Sequence, residues 1–215
     1  MTDALIFDFD GLLMDTESTL LESWRYEWRQ HGLDLAVEGF FADHGGDVNE
    51  QRYARLAAAV GVSYDRALSH SRRTAYREKL HAGLEPAPGI RDWIEQAAGL
   101  RLAVASSSHV DWVRGNLGRV GLLDAFEVIA GGNEVAGHKP DPAVYRLALE
   151  RLGIGPEHAV AFEDTPHGVA AAQAAGLRCV AVPNAFTPVT RFATADLVLA
   201  GAAGNPLRTV LGKLS

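Results

Sequence analysis

Short apolar runs alternate with helical stretches through the second half of the chain, and one further apolar run lies near its start. Runs without polar alternation are typical of strands that are covered on both faces of a parallel sheet. They predict strands at residues 4–7, 102–105, 127–129, 159–162, 179–182 and 197–199. Helices are predicted over residues 90–98, from about 109, and over 142–152, 166–175 and 206–214. Repeated strand–helix–strand order predicts an α/β fold with a parallel sheet.

Between residues 17 and 83 no stretch predicts a strand, and several stretches have a helical pattern. One helical face is formed by Leu20, Leu21, Trp24 and Trp28. Further helices are predicted around residues 53–60 and 63–81, and the turn-rich residues 83–89 mark a junction. We therefore predict an α/β core made of residues 1–16 and 84–215, with a helical subdomain at 17–83. A helical insertion tethered beside the strand ends is suited to act as a lid.

Charge and cysteine content narrow the range of partners and compartments. A net charge of −7 over 215 residues disfavours electrostatic binding to nucleic acid or to an acidic membrane. The single cysteine, Cys179, lies in an apolar run, which predicts a buried core residue and favours a reducing compartment. The sequence has no basic and apolar leader and no apolar run of membrane-spanning length. We expect a cytoplasmic monomer that acts on a small solute, without a nucleic-acid or membrane partner.

Two aspartates follow the first predicted strand. Asp8 stands directly after residues 4–7, and Asp10 lies two positions further on, beside Gly11. Chemistry in parallel sheets concentrates at the carboxyl ends of the strands, and glycine allows the backbone to turn sharply there. Asp8 and Asp10 are therefore predicted to face one ligand, although a polar strand end followed by a turn is the ordinary interpretation of these residues alone.

Serines follow the second predicted strand. Ser106, Ser107 and Ser108 come directly after its last apolar residue. A hydroxyl together with the N–H groups of the next helix's first turn would bind phosphate. Simple N-capping of that helix is the alternative, and both interpretations can hold at once.

A lysine and a pair of acids complete the set of candidate residues. Lys139 precedes Asp141, which is predicted to cap a helix with Pro142 at its first position. Lys139 could neutralise a bound phosphoryl group, although a loop lysine is more often only solvated. Glu163 and Asp164 end the fourth predicted strand, where acids otherwise serve as partners of a helix dipole.

If these acids come together in the fold, a cation must offset the repulsion among them. Two like charges about 4 Å apart repel by roughly 4 kcal/mol at an effective dielectric constant near 20. Lys139 alone does not compensate for Asp8, Asp10, Glu163 and Asp164. Mg²⁺ suits a site that offers one or two carboxylates, a carbonyl, waters and a substrate phosphate. We assign Asp8 and Asp164 as side-chain ligands, Asp10 as a ligand through its backbone carbonyl, and Glu163 as an indirect ligand.

These residues carry a resemblance to a known family. Residues 8–17, Asp-Phe-Asp-Gly-Leu-Leu-Met-Asp-Thr-Glu, resemble the first motif of the haloacid dehalogenase superfamily. The four motifs are matched in order by Asp8 with Asp10, by Ser106, by Lys139, and by Glu163 with Asp164. The helical insertion resembles the cap of the β-phosphoglucomutase-like branch. The resemblance implies a Rossmann-like parallel sheet, with strand order 3-2-1-4-5 plus an edge strand, and a helical cap subdomain.

The resemblance also implies a reaction. Asp8 would attack phosphorus and form an aspartyl-phosphate. Asp10 would protonate the leaving alcohol and then take a proton from the hydrolytic water. Mg²⁺, Ser106, the Ser107 amide and Lys139 would stabilise charge on the transferring oxygens. The residues predicted to bind substrate are Ser106, Ser107, Gly11, Glu17, His44 and Asn49.

Several alternatives remain open at this stage. Dehalogenation is disfavoured because relatives with that activity typically lack a second aspartate such as Asp10. Mutases of the family carry a histidine where this chain has Leu20, and a lysine and an arginine where it has His44 and Val48. Receiver-type signalling domains also gather acids around a phosphorylated aspartate, but they lack the helical insertion. We therefore expect a Mg²⁺-dependent phosphatase for a small phosphomonoester, such as a sugar phosphate, with a phosphosugar mutase as the alternative.

Overall fold

A computed structural model describes residues 2–41 and 49–214. Its strands are β1 (Ala4–Phe7), β2 (Arg101–Ala105), β3 (Val128–Ala130), β4 (Ala159–Glu163), β5 (Arg178–Ala181) and β6 (Leu197–Val198). They form one parallel sheet with the order β3-β2-β1-β4-β5-β6. The predicted α/β class, strand order and edge strand are confirmed.

Helices connect the strands and form the insertion. Those of the insertion are α1 (Thr16–Gln30), α2 (Asn49–Val60) and α3 (Arg66–Ala82). Those that follow are α4 (Ile90–Gln96), α5 (Val110–Arg119), α6 (Ala143–Leu152), α7 (Pro166–Ala174) and α8 (Leu207–Gly212). As predicted, the described part of the insertion contains no strand. None of the helices in the described part of the chain has the length and hydropathy that a membrane span requires.

The chain divides into two compact units. One comprises Met1–Asp15 and Glu85–Ser215, and the other comprises Thr16–Leu84. In the first unit, β1 is fully buried and pairs with a strand on each side, as an unbroken apolar run requires. Cys179 is buried in the core of this unit, as predicted. In the second unit, Trp24 packs against Tyr53 with ring centroids 4.6 Å apart.

Some predicted helix starts are wrong, for identifiable reasons. Helix α3 begins at Arg66 because the Asp65 side chain accepts a hydrogen bond from the Leu68 N–H and caps it. Helix α6 begins one residue after Pro142, and Asp141 accepts from the Ala143 N–H at 2.9 Å.

The serines after β2 do not cap helix α5. The N-cap is His109, which makes no side-chain capping bond. The side-chain Oδ1 of Asn133 instead accepts from the Val110 N–H at 2.9 Å. The side chains of the serines are therefore available for other contacts.

Candidate active site

The carboxyl end of β1 lies at the centre of the site. Phe7 pairs with Val104 of β2 and with Phe162 of β4, so the residue that follows it, Asp8, lies between two neighbouring strand ends. Its N–H continues the ladder by donating to the Phe162 carbonyl at 2.9 Å. Because side chains alternate along a strand, Asp8 shares a face with Ile6, and Glu163 shares that face with Ala161. The register therefore brings two carboxylates from adjacent strands together.

Lys139 connects these carboxylates. Its Nζ donates to Oδ1 of Asp8, to Oε1 of Glu163 at 2.6 Å, and to the Ala105 carbonyl at 2.9 Å. The side chains of Lys139 and Asp8 are only 7% and 9% exposed, and that of Glu163 is fully buried. One buried ammonium thus joins the ends of β1, β2 and β4.

The electrostatics of the cluster show an excess of negative charge. The pKa of Asp8 is raised to about 8, chiefly by burial; Lys139 opposes this shift, and the charges of Glu163 and Asp10 contribute to it. Burial alone would lower the pKa of Lys139, but Asp8 and Glu163 outweigh it and hold that pKa above its ordinary value. Lys139 therefore stays cationic, and its single charge does not balance the carboxylates around it.

Glu163 is held by hydrogen bonds on both of its oxygens. Oε1 accepts from the Tyr145 hydroxyl at 2.6 Å as well as from Lys139. Oε2 accepts from the Asp164 N–H at 3.2 Å and from the Thr165 hydroxyl at 3.4 Å. A carboxylate that is engaged in this way orients Lys139 and suits an indirect role beside a cation.

Asp10 faces the loop after β2. Its Oδ2 accepts from the Ser108 hydroxyl at 2.6 Å and from the Ser106 hydroxyl at 3.4 Å. Its Oδ1 accepts from the indole N–H of Trp112 on α5 at 3.4 Å. Ser106 is fully buried, and its hydroxyl also accepts from the Ser108 N–H. The loop therefore folds around the Ser106 hydroxyl.

Three of the acids can hold a metal ion. Asp8, Glu163 and Asp164 each offer a carboxylate oxygen, and these oxygens lie within 4.8 Å of one another. All three residues are buried. Hard oxygen ligands that carry an excess of negative charge fit a divalent cation. The donor set of this structure therefore suits the metal that the sequence implies.

Gly168 on α7 has no side chain, and the Glu163 carboxylate occupies the space where a side chain would lie. A Cβ atom added at this glycine would overlap the Glu163 carboxylate. We expect Gly168→Ala to lower the free energy of unfolding by about 1–3 kcal/mol, because the side chain or the helix must shift. Denaturant unfolding measures this change.

Gly115→Ala provides the matched control, since Gly115 lies within α5 with open space around the position of its missing Cβ. This variant should gain up to about 1 kcal/mol from helix propensity. Equal behaviour of the two variants would contradict the close packing of Gly168 on Glu163.

The other predicted site residues lie in different places. Gly11 has φ +87° and its N–H donates to the Met14 carbonyl, while Ser107 is exposed beside Ser106. Glu17 lies in the first turn of α1, and Asn49 is the first residue of α2. His44 lies outside the described residues. Substrate contact by these residues stays a prediction.

Sequence reasoning missed several side chains that contact the cluster. They are Ser108, Trp112, Tyr145, Gly168 and Asn184. Trp112 and Tyr145 lie in amphipathic helical segments, at positions whose spacing is typical of core residues. Nothing in the sequence distinguishes Asn184 from other asparagines in loops. Only Ser108 carried a signal, as the third serine of its run.

The fold and the site together define a doubly wound α/β protein with a lysine and buried acids at the carboxyl edge of its sheet. Residues 5–182 match the haloacid dehalogenase-like hydrolase family. The chain belongs to this family, and the prediction of a hydrolase is confirmed.

Individual relatives span nearly the whole chain. YhcW of Bacillus subtilis is 34% identical over 218 residues, which cover 100% of this chain and 99% of that protein. The fructose-1-phosphate phosphatase YqaB of Escherichia coli is 31% identical, over 83% of this chain and 95% of that protein.

Solved structures agree with this family membership. The structure of CbbY from Rhodobacter sphaeroides in complex with phosphate is similar with a TM-score of 0.72 and 34% identity, covering 95% of this chain and 96% of that one. The structure of a protein described as a putative β-phosphoglucomutase from Thermotoga maritima is similar with a TM-score of 0.82 and 27% identity, covering 100% of this chain and 100% of that one. The resemblance to the β-phosphoglucomutase-like branch is confirmed.

Proposed function

We propose that this protein is a Mg²⁺-dependent phosphatase that hydrolyses a small sugar phosphate through an aspartyl-phosphate on Asp8. The observation that carries the proposal is the buried cluster in which Lys139 joins Asp8 to Glu163 beside Asp164. Family membership and the names of two similar proteins, a fructose-1-phosphate phosphatase and a phosphate-bound CbbY, support the chemistry and the substrate class.

Asp8 is the proposed nucleophile. One of its carboxylate oxygens forms a bond to phosphorus while the bond between phosphorus and the alcohol oxygen breaks. Lys139 keeps Asp8 oriented through Oδ1 and carries a positive charge beside the transferring phosphoryl group. The products of this step are the alcohol and an acyl phosphate on Asp8.

Asp10 is the proposed general acid and base. It donates a proton to the departing alcohol oxygen, and it then accepts a proton from the water that attacks the acyl phosphate. Water attack on phosphorus releases inorganic phosphate and restores both carboxyl groups. The contacts of Asp10 with Ser108 and Trp112 hold its carboxylate at the loop where these transfers would occur.

Asp8, Asp164 and the Asp10 carbonyl would hold the cation, with Glu163 acting indirectly. When bound, a divalent cation offsets the repulsion among the carboxylates and neutralises charge on the phosphoryl oxygens. Its presence would also favour the ionised form of Asp8, because a nearby positive charge lowers the pKa of a carboxyl group.

The helical unit of residues 17–83 is the proposed cap. Substrate selection is assigned to Glu17 and Asn49 at the first turns of α1 and α2, and to His44. Exclusion of water by a closed cap would protect the reacting groups. Leu20 and Val48 lack the polar groups that the mutases carry at these positions, so hydrolysis is favoured over transfer to a second hydroxyl.

A phosphate-release screen tests the proposal. Sugar phosphates, nucleotides and glycolytic phosphates are compared with Mg²⁺ present and after chelation with EDTA. We expect sugar phosphates to be the best substrates, and chelation to lower the rate at least about 100-fold, because the cation supplies several kcal/mol of charge stabilisation. Excess Mg²⁺ should restore the rate.

Unchanged release after chelation would contradict the metal dependence. A mutase would be identified by incubation with β-glucose 1-phosphate and a trace of the bisphosphate. Rapid formation of the 6-phosphate with little free phosphate would reverse the assignment.

A further inference from the structure

Asn184 contacts the acidic cluster from outside the four motifs. It lies in the loop after β5, and its Nδ2 donates to Oδ2 of Asp164 at 2.8 Å. The Asp164 side chain is almost completely buried, at 1% exposure for the residue. One oxygen of this carboxylate is therefore engaged by a neutral amide.

The orientation of the Asn184 amide is determined by its other contacts. Its Oδ1 accepts from the backbone N–H of Phe186 at 2.9 Å and from the Thr187 hydroxyl at 3.3 Å. A backbone N–H can only donate, so the carbonyl side of the amide faces Phe186 and the NH₂ side faces Asp164. The loop thus presents a donor, and not an acceptor, to the carboxylate.

We propose that Asn184 is a positioning residue that limits Asp164 to coordination through one oxygen and so selects Mg²⁺ over Ca²⁺. The inference rests on the proposed function, because it requires a divalent cation at Asp8 and Asp164. Mg²⁺ demands near-ideal six-coordinate geometry with few carboxylates. Ca²⁺ takes six to eight oxygen ligands and commonly accepts both oxygens of a carboxylate.

The neighbouring carboxylates are restricted in the same way. Lys139 engages Oδ1 of Asp8, and protein donors engage both oxygens of Glu163. A cation at this cluster would therefore meet few oxygens, each held in a fixed direction. Asn184 can be replaced without removing any proposed ligand or catalytic group.

Competition for bound Mn²⁺ tests the inference by direct binding. Electron paramagnetic resonance reports free Mn²⁺ at pH 7.5 while Mg²⁺ or Ca²⁺ displaces it from the wild-type protein and from Asn184→Leu. Leucine keeps the size of the side chain and removes both hydrogen-bonding groups. Removal of a residue that orients a ligand costs about 10–100-fold in affinity. We expect Mg²⁺ affinity to fall by this amount and Ca²⁺ affinity to fall less, so that the Mg²⁺/Ca²⁺ preference drops at least fivefold.

Gln173→Leu is the matched control. Its Nε2 also donates to a carboxylate, Asp196, in the same compact unit, but away from the cluster. This variant should keep the wild-type preference. Asn184→Ala is measured in parallel, and thermal unfolding identifies which of the two Asn184 variants is folded.

The outcomes separate the two proposals. Failure of the wild-type protein to bind Mn²⁺ in competition with Mg²⁺ would contradict the proposed metal dependence itself. Competitive binding by wild type, with the cation preference of a folded Asn184 variant changed less than fivefold, would overturn the selectivity role and leave the proposed function intact.

Discussion

Replacing Asp8 by asparagine should reduce phosphate release by about 10⁴-fold or more, the scale on which removal of a nucleophile acts in well-studied hydrolases. The amide keeps the size and most of the packing of the side chain, but it cannot attack phosphorus. The amide also avoids the free-energy cost of ionising a buried carboxyl group whose pKa is raised to about 8, so the variant should fold at least as stably as wild type. Steady-state phosphate release and denaturant unfolding measure the two effects.

Asp3→Asn is the matched control for this substitution. Asp3 precedes the same strand at its opposite end, where it is exposed and pairs with His158. It should retain activity within about twofold, since surface substitutions away from a site change stability by about 0.5 kcal/mol or less. Retained activity in Asp8→Asn, measured with the same preparation of substrate, would remove Asp8 from the proposed chemistry.

Lys139→Met should have the second largest effect, and it should lower both the rate of phosphate release and the free energy of unfolding. Methionine preserves much of the apolar stem but leaves Asp8 and Glu163 without their shared ammonium. Removing one partner of a buried ion pair typically costs about 3–5 kcal/mol of unfolding free energy. Loss of a positive charge beside the phosphoryl group should lower the rate by about 10²–10³-fold.

Lys213→Met provides the comparison, because Lys213 is exposed in the same compact unit. The free energy of unfolding of the Lys213→Met variant should change by less than about 0.5 kcal/mol. A Lys139 variant as stable and as active as the Lys213 variant would show that the ammonium neither supports the cluster nor assists the reaction.

The strand positions and the location of Asp8 were predictable because they depend on local patterns, whereas the strand order was implied by the resemblance to a known family. An apolar run without alternation identifies a central strand, and the carboxyl end of such a strand is where parallel sheets carry chemistry. Glu163 and Ser106 also lie at the ends of apolar runs, so the same argument predicted their positions at strand ends. Lys139 was harder to assign, since its loop position alone did not distinguish it from a solvated lysine.

The support around these residues was not predictable, because it depends on side-chain packing between distant segments. Tyr145 lies on the apolar face of α6, where its ring is core, yet its hydroxyl reaches Glu163. Asn133 displaces the serines as the partner of the first N–H of α5. Asn184 reaches Asp164 only through the turn that its own amide stabilises. Spacing along the chain does not encode these contacts.

Chemical trapping of the enzyme during turnover tests the central claim most directly. Sodium borohydride reduces an acyl phosphate to an alcohol, so an aspartyl-phosphate at residue 8 would become homoserine. The tryptic peptide ending at Arg25 contains Asp3, Asp8, Asp10 and Asp15, and fragmentation in the mass spectrometer locates the change among them. Homoserine should occur at residue 8, and only with both substrate and Mg²⁺ present. Reduction at another aspartate, or no reduction while phosphate is being released, would contradict the assignment of Asp8 as the nucleophile.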